Sequence, residues 1–462
     1  INGLAILGLV LVLSTTTFAQ GKGNGKGGGG GDDGGGGVET PPIYYQAQKF
    51  TMPYGSDSIW LFDGNSFGQA VGGMYAPYDE TTETANFDTP KGPTDQLAFY
   101  YDAAIDPTMA FDLNTIVQGI PDHLLIRRAT SINEKGLIAV YLDNPDDTVQ
   151  NFFPGIVDTN VSPPQLHLID FDWVDDGSGN VVLQQNTLVQ DTLTDYDGDY
   201  GIPLGLNDVG DMLVRYRRNG SAAGLYVFNF GFTDLTRRTP EPVDFGVNVG
   251  YVNYSNLINN PTDTHEAQIA FLTFNSDGTA EDIPLVIELA YDGTTGLTPG
   301  SVTEITPQLS ASGDAIYGMD DVRAINNDGT VLGAGYSYNY KRGKITGQAS
   351  YAGLLWNGTY TELSPEVLYG GRDLNDDGDV IGEDVLEHAD AGALDILQLL
   401  DPDDPVTVEL SSSIVSTSLF QAAVSERTDT GFPLIFGTAR FDSNSLAESG
   451  VLFVPVAVPE GN

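Results

Sequence analysis

The sequence has no cysteine, only four histidines and only 19 lysines and arginines among its 462 residues. The absence of cysteine excludes a disulfide framework, a thiolate nucleophile and any cysteine-ligated zinc or iron–sulfur site. Because 64 aspartates and glutamates outnumber these basic residues, the formal net charge is -45 and the isoelectric point is about 4.1. Such a surface repels phosphate backbones and anionic lipids, so we expect no nucleic-acid partner.

An apolar run near the start of the sequence, residues 4–13 (LAILGLVLVL), is too short to span a bilayer. Thr17 and Ala19 follow it at the small-residue positions of a cleavage site. The segment therefore predicts a secretory signal over residues 1–19 whose own start is incomplete. We expect a secreted protein that is not inserted in a membrane once the signal is cleaved.

The rest of the chain divides into three parts by composition. Residues 20–40 are dominated by glycine and predict a flexible linker. The composition then stays uniform, which predicts a single repeat domain over residues 41–458 and a short tail over residues 459–462. The sequence is 40% hydrophobic and 10% aromatic, which is enough apolar side chain to build a large core.

Short runs of β-branched and aromatic residues alternate with Asp-Gly, Asn-Gly and proline turns along this domain, which predicts an all-β fold. The pattern apolar-Asn-x-x-Gly-x-apolar recurs in residues 129–142, 203–216, 322–336 and 371–384. Asparagine tolerates left-handed backbone and bonds its own chain, and glycine supplies a positive φ. Each copy therefore predicts a tight hairpin, and a second strand pair follows it to make about four strands per unit.

Aligning the hairpins gives seven units, with anchors at Asn65, Asn133, Asn207, Asn248, Asn326, Asn375 and a point near Arg427. Seven four-stranded units predict a β-propeller, because radially packed blades leave only short strand edges. The last unit lacks a final strand, and residues 44–52 precede the first anchor without a unit of their own. We therefore expect an N-terminal strand to close the last blade. A β-solenoid and tandem sandwiches are the alternatives.

Three segments carry a more specific pattern: Ile325, Asn326, Gly329, Val331 and Gly333; residues 352–356 (AGLLW); and Asp112, Leu113 and Asn114. They resemble the extracellular HAF repeats of secreted bacterial proteins, whose units read A-x-x-I-N-x-x-G-x-V-x-G, A-F-L-W and D-L-N. The resemblance implies an extracellular location in bacteria and a propeller-like fold. It implies no defined activity.

One acidic loop has the spacing of a calcium site. Oxygen ligands stand at loop positions 1, 3, 5, 7 and 12 in Asp373, Asn375, Asp377, Asp379 and Asp384, with glycine at position 6. This spacing predicts a bound Ca²⁺ ion. The alternative is a plain repeat hairpin, since the aligned unit at Asn326 has Ala324 and Gly335 in place of the first and last ligands. A second acidic turn, residues 195–199, has its glycine at the wrong position for the same loop.

No constellation of catalytic residues stands out from the sequence. The histidines His123, His167, His265 and His388 are scattered without the pair spacing of a metal site. No nucleophile elbow, phosphate loop or dinucleotide fingerprint is present. Paired carboxylates could serve a glycoside hydrolase, but among 64 acidic residues such pairs arise everywhere by chance. We expect the tryptophans Trp60, Trp173 and Trp356 in the core rather than on sugar-stacking platforms.

The scarce basic residues fall into local groups. Arg215, Arg217 and Arg218 lie on or beside one predicted strand, Arg237 and Arg238 follow, and Lys341, Arg342 and Lys344 lie in a tyrosine-rich loop. In so acidic a chain these residues predict local ion pairs. The alternative is an interaction patch, with Arg215, Arg217 and Arg218 at its centre, that binds an acidic polymer or another copy of the protein.

These observations favour a secreted, non-catalytic β-propeller that acts as a structural, self-assembling or binding module stabilised by Ca²⁺. The alternative is an extracellular polysaccharide hydrolase or lyase with its site in the central funnel, where loops from several blades converge. Carboxylates with shifted pKa values around a funnel pocket would indicate the enzyme. A dry channel filled with side chains would indicate assembly.

Overall fold

The structure is a computed structural model that describes most of the predicted repeat domain, from Ile43 to Ala457, with gaps. The described ranges are 43–56, 59–75, 78–79, 84–85, 96–122, 124–143, 152–168, 171–175, 181–185, 200–217, 224–232, 243–248, 256–273, 283–292, 296–310, 312–347, 350–365, 367, 371–382, 385–400, 422–440 and 448–457. The predicted signal, linker and tail lie outside these residues. So do His123, the acidic turn at 195–199, Arg218, Arg237, Arg238 and Asp384.

The chain forms a seven-bladed β-propeller, which confirms the predicted fold class. A first strand, β1 (Ile43–Phe50), and a 3-10 turn (Pro53–Gly55) precede the first complete blade. Blade 1 contains β2 (Ile59–Gly64), β3 (Gln69–Tyr75), β6 (Gln96–Asp102) and β7 (Phe111–Asp112). A separate short hairpin of β4 (Tyr78–Asp79) and β5 (Thr84–Ala85) lies between β3 and β6 in the chain, and helix α1 (Leu113–Ile116) follows β7. Blade 2 contains β8 (Leu125–Ile132), β9 (Leu137–Asp143), β10 (Phe153–Asp158) and β11 (Gln165–Leu168).

A separate hairpin, β12 (Phe171–Asp175) and β13 (Val181–Gln185), follows blade 2. Blade 3 contains β14 (Tyr200–Leu206), β15 (Asp211–Arg217), β16 (Gly224–Asn229) and β17 (Val243–Asn248). Blade 4 contains β18 (Gln268–Leu272), β19 (Pro284–Asp292) and β20 (Gly296–Glu304). Blade 5 contains β21 (Gln308–Leu309), β22 (Ala315–Ile325), β23 (Val331–Lys341), β24 (Lys344–Ile345), β25 (Ser350–Trp356) and β26 (Tyr360–Glu362).

Blade 6 contains β27 (Asp373–Leu374), β28 (Val380–Ile381), β29 (Val385–His388) and β30 (Gly392–Asp395), followed by a 3-10 turn (Ile396–Leu399). Blade 7 contains β31 (Ala422–Arg427), β32 (Pro433–Arg440) and β33 (Glu448–Ala457). The strand pairs within the blades are antiparallel, as expected for strands joined by tight hairpins. No helix within the described ranges is long and apolar enough to cross a membrane.

The first strand of the chain completes the last blade. Strand β1 pairs antiparallel with β33 from Ile43 opposite Ala457 to Phe50 opposite Gly450, which gives blade 7 the order β1-β33-β32-β31. The predicted closure is therefore confirmed. A Cβ atom on Gly450 would overlap the ring of Phe50, which stacks on Tyr101 of blade 1 with the ring centroids 3.8 Å apart.

The predicted anchor of blade 4 is wrong. Asn248 ends β17, the outer strand of blade 3, and the residue in the anchor position is Asn259. Asn259 follows a short inner segment in which Ile258 pairs with Ile269. Eight residues separate Asn259 from Gln268, whose backbone carbonyl accepts the Asn259 N–H and so closes the turn. The sequence pattern is lost because this turn replaces the usual Asn-x-x-Gly.

The apolar core lies between neighbouring blades. The buried side chains form clusters that each span a blade boundary, such as Phe50, Phe436 and Leu452 of blade 7 with Phe99 of blade 1. Further clusters join blades 1 and 2, 2 and 3, 5 and 6, and 6 and 7, and one joins blades 3, 4 and 5. Because apolar burial occurs between the sheets, the inner ends of the blades are left free to carry polar groups.

Candidate active site at the channel mouth

The repeat hairpins meet at one end of the central channel, where their asparagine side chains form a ring. In each of six hairpins the asparagine N–H donates to the carbonyl of the residue that closes the turn, and the asparagine Oδ1 accepts the N–H of that same residue. In blade 5 Thr330 closes the turn of Asn326, with N···O distances of 3.1 and 2.9 Å. The Nδ2 group is thereby left to reach the next blade.

These Nδ2 groups link one blade to the next. Each donates to the backbone carbonyl of the equivalent residue, from Asn65 to Asn133 (3.1 Å), Asn133 to Asn207 (2.8 Å), Asn207 to Asn259 (3.1 Å), Asn259 to Asn326 (2.8 Å), Asn326 to Asn375 (3.1 Å) and Asn375 to Ser425 (2.9 Å). Blade 7 has Ser425 in place of asparagine. The asparagine ring explains the sequence repeat, because a short amide can accept from its own turn and donate to the next blade at once.

The residues that follow these positions form a second ring, closer to solvent, which we call the mouth ring: Ser66, Glu134, Asp208, Asn260, Asn327, Asp376 and Glu426. The backbone N–H of each of the first six donates to a side-chain oxygen of the next member. Glu134 N lies 2.8 Å from Asp208 Oδ1, and Asp376 N lies 3.2 Å from both carboxyl oxygens of Glu426. Backbone donors therefore fix four carboxyl groups around one opening.

The mouth ring perturbs the protonation of its own carboxyl groups. Burial, followed by the charge of Asp376, raises the pKa of Glu426 to about 8. Burial and the neighbouring charge of Asp328 raise the pKa of Asp376, and burial raises that of Asp208. The raised pKa of Glu426 keeps a proton on its carboxyl group near neutral pH.

Two further buried carboxyl groups, those of Asp63 and Asp373, lie two residues before the ring positions of blades 1 and 6. The Asp63 carboxylate accepts from Ser131 Oγ and from the N–H groups of Ile132 and Gly64, each at 2.8 Å. Burial and the charge of Asp373 raise the pKa of Asp63 to about 7.

Asp373 occupies the matching position in blade 6. It accepts from Asn256 Nδ2 at 2.6 Å and from the N–H groups of Val424 and Leu374, each at 2.9 Å. Burial raises its pKa to about 6. Asp63 and the members of both rings from blades 2 to 7 line a polar cavity of 120 Å³, which has room for a few water molecules. The channel mouth is therefore neither dry nor filled with apolar side chains.

A larger cleft of 650 Å³ opens beside the mouth ring, between the inner hairpins of blades 1 and 2. Glu134 lines both the cavity and the cleft. Phe67, with 64% of its surface exposed, is an aromatic wall of the cleft. Asp102 accepts from the Tyr100 hydroxyl at 2.8 Å and from Gln69 Nε2 at 2.9 Å, which places a fixed polar cluster on the cleft lining.

The residues of the predicted calcium loop lie in the blade 6 hairpin and have protein partners. Asp373 accepts from Asn256, Leu374 and Val424, and Asn375 belongs to the asparagine ring, as described above. Asp377 accepts the N–H of Arg427 at 3.1 Å. Both carboxyl oxygens of Asp379 accept from the Arg427 guanidinium, at 2.7 and 2.8 Å. Burial acts to raise the pKa of Asp379, but the bonds to Arg427 keep this pKa below its usual range.

The structure does not test the calcium prediction itself. Asp384, the predicted last ligand, lies outside the described residues. Within the described ranges no three His, Asp or Glu side chains are grouped in a way that would hold a metal ion. Calcium binding by this loop stays a prediction.

The predicted arginine patch is not visible as a surface in the described chain. Arg215 is buried, with 7% of its surface exposed, so it does not belong to an exposed patch. Arg217 ends β15 and its side chain lies outside the described part, as does Arg218. Among the predicted core tryptophans, Trp356 is buried as expected, at 9% exposure.

The mouth ring is the part of the site that the sequence reasoning missed. The signal was present: in the aligned repeats the residue after asparagine is Glu134, Asp208, Asn327 or Asp376, always an acid or an amide. Asn260 and Glu426 could not be found in this way, because the longer turn after Asn259 and the serine of blade 7 both break the repeat pattern. Only the three-dimensional ring shows that Asn260 and Glu426 belong to the same set.

Comparison with known proteins gives solved structures but no family. No family model and no curated protein matches the chain, so the resemblance to HAF repeats stays a prediction. A polysaccharide lyase is 11% identical, with a TM-score of 0.38 over 88% of this chain and 92% of its own. A polysaccharide lyase described as an ulvan lyase is 10% identical, with a TM-score of 0.30 over 90% and 95%. A family 117 glycoside hydrolase of the marine bacterium Zobellia galactanivorans is 13% identical, with a TM-score of 0.24 over 64% and 88%.

These findings correct the expected function. The three neighbours are named as two polysaccharide lyases and a glycoside hydrolase. The channel mouth also shows the carboxyl groups with raised pKa values that were expected of the enzyme, rather than the dry channel expected of an assembly module. The prediction of a non-catalytic module is therefore wrong. At such low identity and TM-scores, what each neighbour acts on is not carried over to this chain.

Proposed function

We propose that this chain is a secreted enzyme that hydrolyses a polysaccharide at the mouth of the propeller channel. The observation that carries the proposal is the mouth ring, in which the Asp376 N–H holds Glu426 among further carboxyl groups and Glu134 also lines the 650 Å³ cleft. Hydrolysis of a glycosidic bond needs one carboxyl group that gives a proton and one carboxylate that activates water or attacks the sugar. In this proposal Glu426 is the first group and a neighbouring member of the ring is the second.

Glu426 is the general acid in this proposal. Its raised pKa keeps the proton on the carboxyl group at neutral pH, ready for transfer to the leaving oxygen. Glu134 is the proposed second carboxyl group, since it interacts electrostatically with Glu426 and also lines the cleft. Asp376 is a positioning residue that holds the Glu426 carboxyl group through its backbone N–H.

The cleft between blades 1 and 2 is the proposed binding site for the polysaccharide. Its volume of 650 Å³ falls within the range of about 300–1,000 Å³ typical of ligand pockets. Phe67 offers an aromatic face on which a sugar ring can stack, and Gln69, Asp102 and Asn160 offer polar groups for its hydroxyls. Because Glu134 lines the cleft and is also a member of the mouth ring, a polysaccharide bound in the cleft would extend to the mouth ring.

The charges at this site favour hydrolysis of a neutral sugar unit over elimination from an acidic one. A lyase that acts on a uronic acid must neutralise the carboxylate of the substrate. The described lining of the cleft and the mouth ring contains Lys135 as its cation, against the acidic residues Glu134, Asp208, Asp376 and Asp102 beside the proton donor Glu426. Like charges at close range would repel an acidic sugar at the reacting position.

The test is Glu426→Gln, assayed on neutral and uronate polysaccharides through new reducing ends and through the ultraviolet absorbance of unsaturated sugars. We expect the native protein to release reducing ends from a neutral polysaccharide without that absorbance. The variant should lose about 10²–10⁴ of this rate, the usual contribution of a general acid. The activity of the native protein should fall as pH rises through about 8, where Glu426 loses its proton.

The matched control is Glu362→Gln, which removes a carboxylate of blade 5 that accepts from the Tyr317 hydroxyl on the exposed surface. Its activity should equal that of the native protein. If Glu426→Gln hydrolyses as fast as this control, Glu426 is not the acid. If the product is unsaturated and comes from a uronate, the proposed reaction is wrong and elimination replaces it.

A further inference from the structure

The hairpin of β22 and β23 extends far beyond its blade. Each of these strands has 11 residues, and the residues of β23 up to Gly335 are buried whereas those from Tyr336 onward are partly or fully exposed. Strand β23 starts beside the asparagine ring, so at about 3.3 Å per residue its far end lies roughly 33 Å from the mouth ring. We call residues 336–346 the projecting hairpin. It is therefore remote from the candidate active site.

The tip of the projecting hairpin carries three exposed cations, Lys341, Arg342 and Lys344. Within the described ranges, the side chains of these three residues make no ion pair and no hydrogen bond with a carboxylate. This is unexpected in a chain with 64 acidic and 19 basic residues, where nearly any surface would offer a partner.

The turn at the tip holds an arginine in a backbone conformation that disfavours it. Arg342 and Gly343 both have positive φ, at 50° and 79°, between the paired residues Lys341 and Lys344. Two successive positive φ values define the turn for which asparagine or glycine is preferred at the first position. An arginine in such a position points to a role for its guanidinium group.

An aromatic surface lies at the base of the same hairpin. The Tyr336 ring contacts those of Tyr338 and Tyr351, with centroids 6.0 and 5.3 Å apart. Tyr336 and Tyr351 are 42% and 46% exposed, which leaves their ring faces available. Such faces offer flat apolar area with a polar edge, which suits the C–H face of a sugar ring.

We propose that the projecting hairpin binds an anionic polysaccharide, with Lys341, Arg342 and Lys344 pairing with its sulfate or carboxylate groups and Tyr336, Tyr338 and Tyr351 stacking on its sugar rings. The cations select a polyanion, and the row of tyrosines favours a sugar polymer over a second, acidic copy of this chain. Salt screens the repulsion between the polyanion and acidic groups of the protein that lie more than about 8–10 Å away, whereas direct contacts with the three cations persist. The site is independent of the proposed hydrolysis.

The experiment measures binding of the full chain to dextran sulfate, with dextran as the uncharged match and polyglutamate as a polyanion without sugar rings. We expect the native protein to bind dextran sulfate more tightly than polyglutamate and not to be retained by dextran. The triple variant Lys341→Gln, Arg342→Gly, Lys344→Gln should bind dextran sulfate at least about tenfold more weakly. The variant Lys341→Arg, Lys344→Arg keeps the charge and should bind as the native protein does.

Two single variants separate binding from folding. Arg342→Gly relieves the backbone at the turn, so we expect a higher Tm together with weaker binding, the opposite of a folding defect. Tyr336→Ala should weaken binding to dextran sulfate and leave binding to polyglutamate unchanged. Unchanged binding in the triple variant overturns the proposal, as does polyglutamate that binds as tightly as dextran sulfate. Sedimentation that shows tip-dependent self-association in place of polysaccharide binding assigns the surface to a second copy and also overturns it.

Discussion

In six of the seven repeats a single asparagine makes the bonds that close its own turn and join its blade to the next. The carboxamide oxygen is used within the hairpin, and the nitrogen donates across the blade boundary at 2.8–3.1 Å. Because these side chains are buried, an unpaired amide or carbonyl would pay the full cost of leaving water. The ring is therefore a set of mutually dependent contacts.

Replacement of one ring member tests this dependence. Asn326→Ala leaves the N–H of Thr330 and the carbonyl of Asn375 without their partner, so we expect the free energy of unfolding to fall by about 2–4 kcal/mol. Urea unfolding followed by circular dichroism measures it. The control Asn357→Ala removes an exposed amide that bonds the Thr330 side chain at 3.1 Å, and its effect should stay within about 0.5 kcal/mol. Equal effects in both variants would contradict a special role for the ring.

At the scale of the strand, the closing contact of the propeller depends on side chains that are far apart in sequence. Phe50 of β1 is fully buried between Gly450 of β33 and Tyr101 of blade 1. The glycine is required because any side chain there would occupy the place of the phenylalanine ring. One aromatic ring thus ties the first strand to both neighbouring blades.

Truncation of this ring measures the strength of the closure. Phe50→Ala should lower the free energy of unfolding by about 3–5 kcal/mol, because it removes a buried aromatic side chain and leaves a cavity. The comparison is Phe67→Ala, a phenylalanine that is 64% exposed and should change stability by less than about 0.5 kcal/mol. A small effect of Phe50→Ala would mean that β1 contributes little to the closed ring.

The sequence predicted the elements better than it predicted the site, and the reason is physical. The asparagine and glycine of each hairpin are visible because local backbone geometry requires them, so the all-β propeller and its closing strand followed from spacing alone. The anchor at Asn248 failed because Asn259 keeps its contacts across a longer turn. The mouth ring depends on contacts between residues about 50–70 positions apart, which no local pattern encodes.

At the scale of the whole molecule, three buried carboxyl groups make the stability of the fold depend on pH. Asp63, Asp373 and Glu426 have pKa values of about 7, 6 and 8, well above the ordinary 3.8 to 4.5. In the unfolded chain these groups lose their protons near pH 4, whereas the folded channel retains them until pH 6 to 8. Their contribution to stability is therefore fully present below about pH 4 and is lost as pH rises to about 8.

The free energy of unfolding should thus be lower at pH 8 than at pH 5, as measured by urea unfolding in high salt, where self-repulsion of the net charge is screened. Asp63→Asn should reduce this difference because it removes one of the titrating groups. Asp106→Asn is the control: hydrogen bonds from Thr108 lower the pKa of Asp106, so its titration is complete below pH 5. A pH dependence that Asp63→Asn leaves unchanged would contradict the assignment to the channel.

The pairing of β1 with β33 also sets the order in which the molecule can be completed during synthesis. Strand β1 leaves the ribosome before the blades that follow it, and its partner lies about 400 residues later. Until β33 is made, β1 has an unpaired edge, and blade 7 cannot enclose Phe50. The ring of blades therefore stays open while these 400 residues are synthesised, and its closure requires pairing between strands that are far apart in sequence.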